Sequence, residues 1–262
     1  MIWQAAKAEA VGGRKEQQDR VELFEARDGS ARLLVLADGM GGHSGGAVAA
    51  EAVIDAARAA WQKQLLEPQP AEELLRGVIK QAHERINAAG ETSGTSPRST
   101  AVLLHVTDNQ ADWAHVGDSR IYRFRGSELL GRSLDHSVVQ MLVDMGKVAE
   151  EEMATHPDQN RLTQSLGGEK DPEPDLGRAG IAVGDGFVLC SDGLWERITP
   201  EEMVEALEGD ALSVAAKELV TLAAERGGPE GDNVTIAMAR ADEADKGKRR
   251  GKGLLGLFSP DD

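Results

Sequence analysis

The sequence predicts an α+β protein in which sheet layers are covered by helices within one domain. Three observations predict it. Apolar, strand-like runs end repeatedly in acidic turns that contain glycine. A series of short strands joined by tight turns occupies the middle of the chain. Two pairs of helical stripes lie before and after that series. A chain of 262 residues can bury a full core in a single α/β or sandwich domain. With only four Phe, four Trp and one Tyr, that core has to be filled by Leu, Val, Ile and Ala.

Residues Trp3 to Val11 read as a first strand, followed by a polar loop over Gly12 to Arg20 and a second strand over Val21 to Phe24. The turn Arg27-Asp28-Gly29-Ser30 leads into Arg32 to Ala37, a buried strand that ends at Asp38. From Ser44 to Leu65, Ala47, Ala50, Ile54, Ala57, Trp61 and Leu65 recur at helical spacing until Pro68 and Pro70 break the pattern. A second helix over Ala71 to Ala88 carries Leu74, Leu75, Val78, Ile79, Ala82 and Ile86 on one stripe. Strands over Ser99–Val106, Ala111–Val116, Arg120–Arg125 and Glu128–Gly131 read as an antiparallel meander. Ser133 to Met145 reads as a capped helix, and Gly146 to Gly168 as a polar stretch too long for a simple connection. Gly186 to Cys190 is another buried strand. Helices over Pro200–Leu207 and Ala211–Glu225 follow it, then a closing strand over Val234–Arg240. The catalytic or binding domain is thus expected over residues 1–240, with a charged, disordered tail over 241–262.

A formal net charge of −16 argues against a nucleic-acid binder, which would show a basic face. No apolar run approaches the roughly 20 residues of a membrane span, and the first residues lack a signal peptide's apolar centre. A single cysteine, Cys190, excludes an internal disulfide and fits a reducing compartment, so a cytoplasmic protein is expected. Cys190 lies in a strand and reads as core. The histidines at 83, 105, 115, 136 and 156 read as surface residues without a part in chemistry.

The centre of the pattern is Asp38-Gly39-Met40-Gly41-Gly42-His43. A carboxylate stands at the end of a rigid strand, glycines follow, and an imidazole opens the next helix. Taken alone, this hexapeptide is explained as well by an ordinary glycine-rich turn. Asp118, Asp192 and Asp232 repeat the arrangement in other turns beside apolar strands, and Asp19 adds a fifth carboxylate in a polar loop. If these strand ends meet at one edge, the acids repel one another, and hard divalent cations resolve the conflict. Oxygen-only ligands suit Mg²⁺ or Mn²⁺; no Cys or His pair sits at zinc spacing.

The set Arg14…Asp19, Asp38-Gly-Met-Gly-Gly-His43, Gly117-Asp118-Ser119-Arg120, Ser191-Asp192-Gly193-Leu194-Trp195 and Gly231-Asp232-Asn233, in this order, resembles the metal-dependent (2C-type, PPM) serine/threonine protein phosphatases, in their bacterial form. The resemblance covers about residues 5–240. It implies a central β-sandwich of two mostly antiparallel sheets, each covered by a helix pair, with metals in a cleft at one edge. It implies hydrolysis of phosphoserine and phosphothreonine monoesters by a water that bridges two Mn²⁺ or Mg²⁺ ions. By position, Asp38 would bridge the ions, the Gly39 carbonyl would help to bind one, and Asp192 and Asp232 would complete the other site. Asp19 would act directly or through water. Asp118, with Asp192 and Glu196, would form a weaker third site. Arg14 would grip the substrate phosphate with its planar fork of donors, and His43 would act as general acid. The stretch over 146–168 would be the flap beside the cleft.

Two departures stand out: Gln17-Gln18 before Asp19, and Arg98-Ser99-Thr100 in place of a Gly-Thr-Thr start. Phosphoprotein substrates of a Ser/Thr kinase pathway and a monomeric, signalling protein are the corresponding expectations. The rival readings are an enzyme acting on a regulatory partner of a transcription switch, and a binding module that kept the fold without catalysis. The tail holds five positive charges between Lys246 and Lys252, followed by Leu254, Leu255, Leu257 and Phe258. A solvated tail is the plain reading, and docking to an acidic partner or a membrane surface is the other.

Overall fold

A computed structural model describes residues 1–42 and 45–243. Among the described residues eleven strands pair in two sheets. One has the order β1 (Ile2–Ala10), β11 (Val234–Asp242), β10 (Asp185–Cys190), β7 (Arg120–Arg125), β8 (Glu128–Arg132). The other has the order β2 (Asp19–Glu25), β3 (Ala31–Met40), β5 (Ala101–Thr107), β6 (Gln110–Val116), β9 (Asp175–Gly180), with the two-residue β4 (Arg98–Ser99) beside β3. Every ladder is antiparallel.

The helices form the outer layers. Helices α1 (Gly45–Leu66) and α2 (Ala71–Ser93) place Val53, Ile54, Leu74 and Ile79 in one cluster with Leu33, Val35 and Leu103. On the far side, α5 (Pro200–Glu208) and α6 (Leu212–Gly227) bring Met203, Leu207 and Val220 together with Val188, Ile236 and Met238. A third cluster lies between the sheets: Leu34, Leu36, Val102, Leu104, Phe187, Leu189 and Ala237. The side-chain period of two explains how a single strand serves two layers. In β3, Leu33 and Val35 belong to the helix-side cluster and Leu34 and Leu36 to the sheet–sheet cluster, all fully buried. This is why Arg32–Ala37 reads as a continuous apolar run rather than an alternating one. The expected four-layer sandwich is the observed one.

Several elements differ from the sequence reading. The central strands are two hairpins rather than one meander, because β6 pairs with β5 and β9 while β7 pairs with β10 and β8. The chain changes sheet at Gly117, whose φ of +107° disfavours any side chain and whose Cβ would lie 2.6 Å from Thr100 Cγ2. The helix expected from Ser133 begins only at Val138 (α3, Val138–Asp144), capped by Ser137. Ser133 and Asp135 serve β7 instead: Ser133 Oγ accepts from Ile121 N, and Asp135 takes the Arg120 guanidinium in two bonds of 2.8 and 2.7 Å. Helix α2 runs on to Ser93, and β11 extends two residues past Arg240. Strand β9 was not expected; its ladder with β6 supplies pairing that its weakly patterned sequence does not advertise.

The stretch over 146–168 contains a 3-10 helix (Glu150–Thr155) whose Met153 is buried. Its far end is fixed to the sandwich. Ser99 and Leu166 exchange backbone bonds of 3.1 and 2.8 Å, Gly167 N donates to His83 Nδ1, and Asn87 bonds both backbone groups of Gly168.

Phe187 fills the middle of the sandwich, fully buried, with its ring centroid 6.3 Å from that of Trp3 and 6.2 Å from that of Trp113. Phe187→Ala should therefore lower unfolding free energy by about 3–5 kcal/mol. Urea denaturation should register this as a lower midpoint with an unchanged slope.

Candidate metal centre

Antiparallel pairing puts the acidic turns at one end of the sandwich. Strand β2 begins at Asp19 and β3 reaches Asp38 at the same level, where the two residues are direct partners across the ladder. Strand β6 ends just before Asp118, β10 just before Asp192 (the first residue of the short helix α4, Asp192–Trp195), and β11 begins just after Asp232. Gly39 sits against the start of α1 so closely that a Cβ there would lie 2.0 Å from the Gly46 carbonyl oxygen.

The carboxylates sense one another. Asp19, only 1% exposed, is pushed up to about 7, chiefly by burial, with the charges of Asp192 and Asp232 adding to it. Asp38 and Asp118 are held well above the usual carboxylate range by burial and by neighbouring aspartates. Burial and Asp232 bring Asp192 to about 6, and burial and Asp192 bring Glu196 to about 7. Among the described residues the cation paired with the aspartates is Arg14, whose Nη2 lies 2.6 Å from Asp232 Oδ2, while Arg197 Nη2 lies 3.6 Å from Glu196 Oε2. Arg120 is taken by Asp135. Asp19 Oδ2 is buried with no hydrogen-bond partner. A set of oxygen donors, over-charged, partly buried and with one orphaned carboxylate oxygen, fits hard divalent cations.

Other residues fix these groups. Asp38 is clamped on both backbone sides: Thr100 Oγ1 accepts from its N–H at 3.0 Å, while Thr100 N and Ser99 Oγ donate to its carbonyl at 2.8 and 3.0 Å. Asn233 holds the loop that carries Arg14, donating to the carbonyls of Val11 and Glu16 and accepting from Gln18 N. Trp195 Nε1 donates to the Asp118 carbonyl at 3.0 Å, and the Arg120 guanidinium lies 3.5 Å over the Trp195 ring. Sequence reasoning missed these supports. For Asn233 and Trp195 the signal available was their place beside Asp232 and Asp192; Ser99 and Thr100 stand near no acidic motif. The two departures turn out to be structural: Gln17 Oε1 accepts from Asp19 N, and Arg98 bonds the Gly167 carbonyl. His43 lies outside the described residues.

Cys190 is buried, and burial pushes its thiol up to about 12, consistent with a core residue. The histidines correct the expectation of surface positions: His83, His105, His115 and His136 are all buried. His115 and His136 stack at 4.7 Å, with Asp175 beside them. One ring nitrogen of each is engaged, since His115 Nε2 meets the Leu134 carbonyl at 2.9 Å and His136 Nδ1 accepts from Gly117 N. A neutral His136 accepting at Nδ1 carries its proton on Nε2, toward Asp175, and offers no lone pair there for a metal.

Comparison with known proteins agrees with this architecture. A family model for protein phosphatase 2C matches residues 12–225. Protein phosphatase PhpP of Streptococcus pneumoniae is 34% identical over 235 residues, which is 88% of this chain and 94% of that protein. The serine/threonine phosphatase of S. agalactiae superposes with a TM-score of 0.81 at 32% identity, covering 92% of this chain and all of that one. The catalytic domain of the serine/threonine protein phosphatase PstP, solved in complex with two manganese ions, has a TM-score of 0.77 at 31% identity and covers 92% of this chain and 99% of its own. With the fold, the order of the acidic motifs and these likenesses in agreement, the chain belongs to the protein phosphatase 2C family.

Proposed function

We propose that the acidic end of the sandwich holds two divalent cations, Mn²⁺ or Mg²⁺, with Asp38 shared between them. The chain is a metal-dependent serine/threonine protein phosphatase, a hydrolase of phosphate monoesters on phosphoproteins. The observation that carries the site assignment is the over-charged cluster itself: raised carboxylates, an orphaned Asp19 oxygen, and a single arginine, Arg14, paired with its five aspartates among the described residues. In this reading the Gly39 carbonyl helps to bind one ion, Asp192 and Asp232 hold the other, and Asp19 acts directly or through water. Asp118, Asp192 and Glu196 form a third, weaker site. When bound, the pair of cations supplies a water nucleophile of lowered pKa and clamps the phosphoryl oxygens for in-line displacement.

The residues of the chain supply the rest. Arg14 binds and orients the phosphate through its fork of N–H donors. Asn233 holds its loop, and Thr100 and Ser99 keep Asp38 from drifting. His43 is assigned as general acid from its place in the sequence motif alone. Residues 1–240 form the catalytic domain in this reading. Substrates would come from a Ser/Thr kinase pathway, and the protein would act as a cytoplasmic monomer. Among the described residues no helix is long and apolar enough to cross a membrane. Retention of Asp38, Asp192 and Asp232 disfavours a binding module without catalysis.

Hydrolysis of p-nitrophenyl phosphate should require added Mn²⁺ or Mg²⁺ and stop in EDTA; full turnover in EDTA would refute the assignment. Phosphoserine and phosphothreonine peptides should be turned over in preference to phosphotyrosine peptides under the same conditions. Asp38→Asn should weaken Mn²⁺ binding by more than the 10- to 100-fold typical of a lost outer-shell partner, as measured by titration calorimetry. Asp19 and Asp192 have folded values of about 7 and about 6 against an ordinary 3.8. Their contribution to metal-free stability is therefore complete below about pH 3.8 and is lost as pH rises through 6 and 7. Mn²⁺ should accordingly raise the melting temperature more at pH 8 than at pH 5, which thermal denaturation with and without the ion will test.

A further inference from the structure

Strand β8 is an open sheet edge: it pairs with β7 and with nothing on its other side among the described residues. Leu129 and Leu130 on it, and Leu134 two residues past its end, are 41%, 38% and 53% exposed. They line a mostly apolar groove of about 700 Å³ together with Met153 and Ile198. The groove reaches Pro200, the first residue of α5.

From Pro200 onward, α5 carries Glu201, Glu205 and Glu208 at the four- and three-residue spacing of one helix face. All three are exposed, and none makes an ion pair among the described residues. The other end of α5 is where the chain leaves the sandwich. Arg240 Nη1 donates to the carbonyls of Leu207 and Gly209, and β11 stops at Asp242. An acidic track therefore leads from the exit point of the chain back to the apolar groove.

The sequence beyond 243 carries the complementary order. Lys246, Lys248, Arg249, Arg250 and Lys252 come first, followed by Leu254, Leu255, Leu257 and Phe258. Helix α5 has nine residues, so the track is about 14 Å long. Residues 243–253 can extend over about 36 Å, which leaves ample reach. We propose that segment 246–258 docks on its own domain, its basic half along Glu201, Glu205 and Glu208 and its apolar half in the β8 groove. The polarity of the match favours an intramolecular occupant: the tether delivers the basic residues to α5 first and the leucines to the groove after. A short tether also gives an effective concentration in the millimolar range, which a free partner would have to exceed. A groove that binds the free segment at about 0.1 mM would then be open only about one-tenth of the time.

Hydrogen–deuterium exchange on the full chain tests this directly. Amides over 128–134 and 150–155 should exchange about tenfold faster in a full-length variant carrying Leu254→Asp, Leu255→Asp, Leu257→Asp and Phe258→Asp than in the unaltered chain. A second full-length variant with Glu201→Lys, Glu205→Lys and Glu208→Lys, all exposed positions, should show the same acceleration at the groove without change at the core strands. Equal exchange in all three proteins would overturn the proposal. So would protection that disappears on dilution, which would assign the groove to a second copy. Protection retained in the glutamate variant would overturn the α5 track.

Discussion

Everything at the functional end of this protein depends on holding like charges together. Five aspartates and Glu196 converge where strands of both sheets end, and among the described residues only two guanidinium groups pair within the group, Arg14 with Asp232 and Arg197 with Glu196. Carboxylates on mobile loops would move apart and stay ionised in water. Here they cannot, because each is joined to a strand whose side chains are locked into one of three apolar clusters. The core thus supplies the free energy that keeps the acids crowded, and the crowding appears as carboxyl groups raised toward neutral pH.

Topology decides which acids meet. Strands β2 and β3 bring Asp19 and Asp38 together within one sheet, while Asp192 and Asp232 arrive on adjacent strands of the other. Asp118 is delivered by the crossing between sheets, and that crossing needs Gly117, because Thr100 packs where a side chain would be. The same Thr100 caps the backbone of Asp38 and hydrogen-bonds Ser119. A single threonine therefore couples the residue shared between the proposed ion sites to the turn that carries the third-site acid. Trp195 reinforces that turn from the other sheet, and Asn233 does the equivalent service for the Arg14 loop.

How much of this could be read beforehand follows from the range of each cause. Strand β3, helix α1 and the acidic turns are local facts of hydrophobic period and glycine placement, and they stand where the sequence put them. Whether Ala111–Val116 and Arg120–Arg125 are neighbours in one sheet is a long-range fact. A tight turn through Gly117 looks the same whether the chain pairs back or changes layer. A cap-like Ser133 reads as the start of a helix that would contain Asp135; the buried Arg120 fifteen residues earlier claims that aspartate instead. The buried histidines escape a sequence reading for a similar reason. Their burial is made tolerable by backbone partners such as Gly117 N and Gly167 N, which no local pattern announces. The convergence of the acids was legible only because five weak motifs occurred in one order. His43 belongs to the part of that pattern which the described residues leave out.

The Arg14–Asp232 pair shows why a site of this kind can be both over-charged and ready to bind an anion. Both side chains are substantially exposed, 56% for the arginine and 36% for the aspartate. Surface ion pairs of that sort contribute about 0–1 kcal/mol, so little free energy ties the guanidinium to the carboxylate. Its loop, in contrast, is fixed by Asn233 and by the Gly13–Gly231 backbone bond. The base of the side chain is held while its tip is free to change partner. Cations that neutralise Asp232 remove the reason for the tip to stay there, and a phosphate offers the same planar fork two or three oxygens in place of one carboxylate. In the proposed reading the arginine thus stabilises the crowded acids when they stand alone and turns to the phosphate once cations have taken over that task.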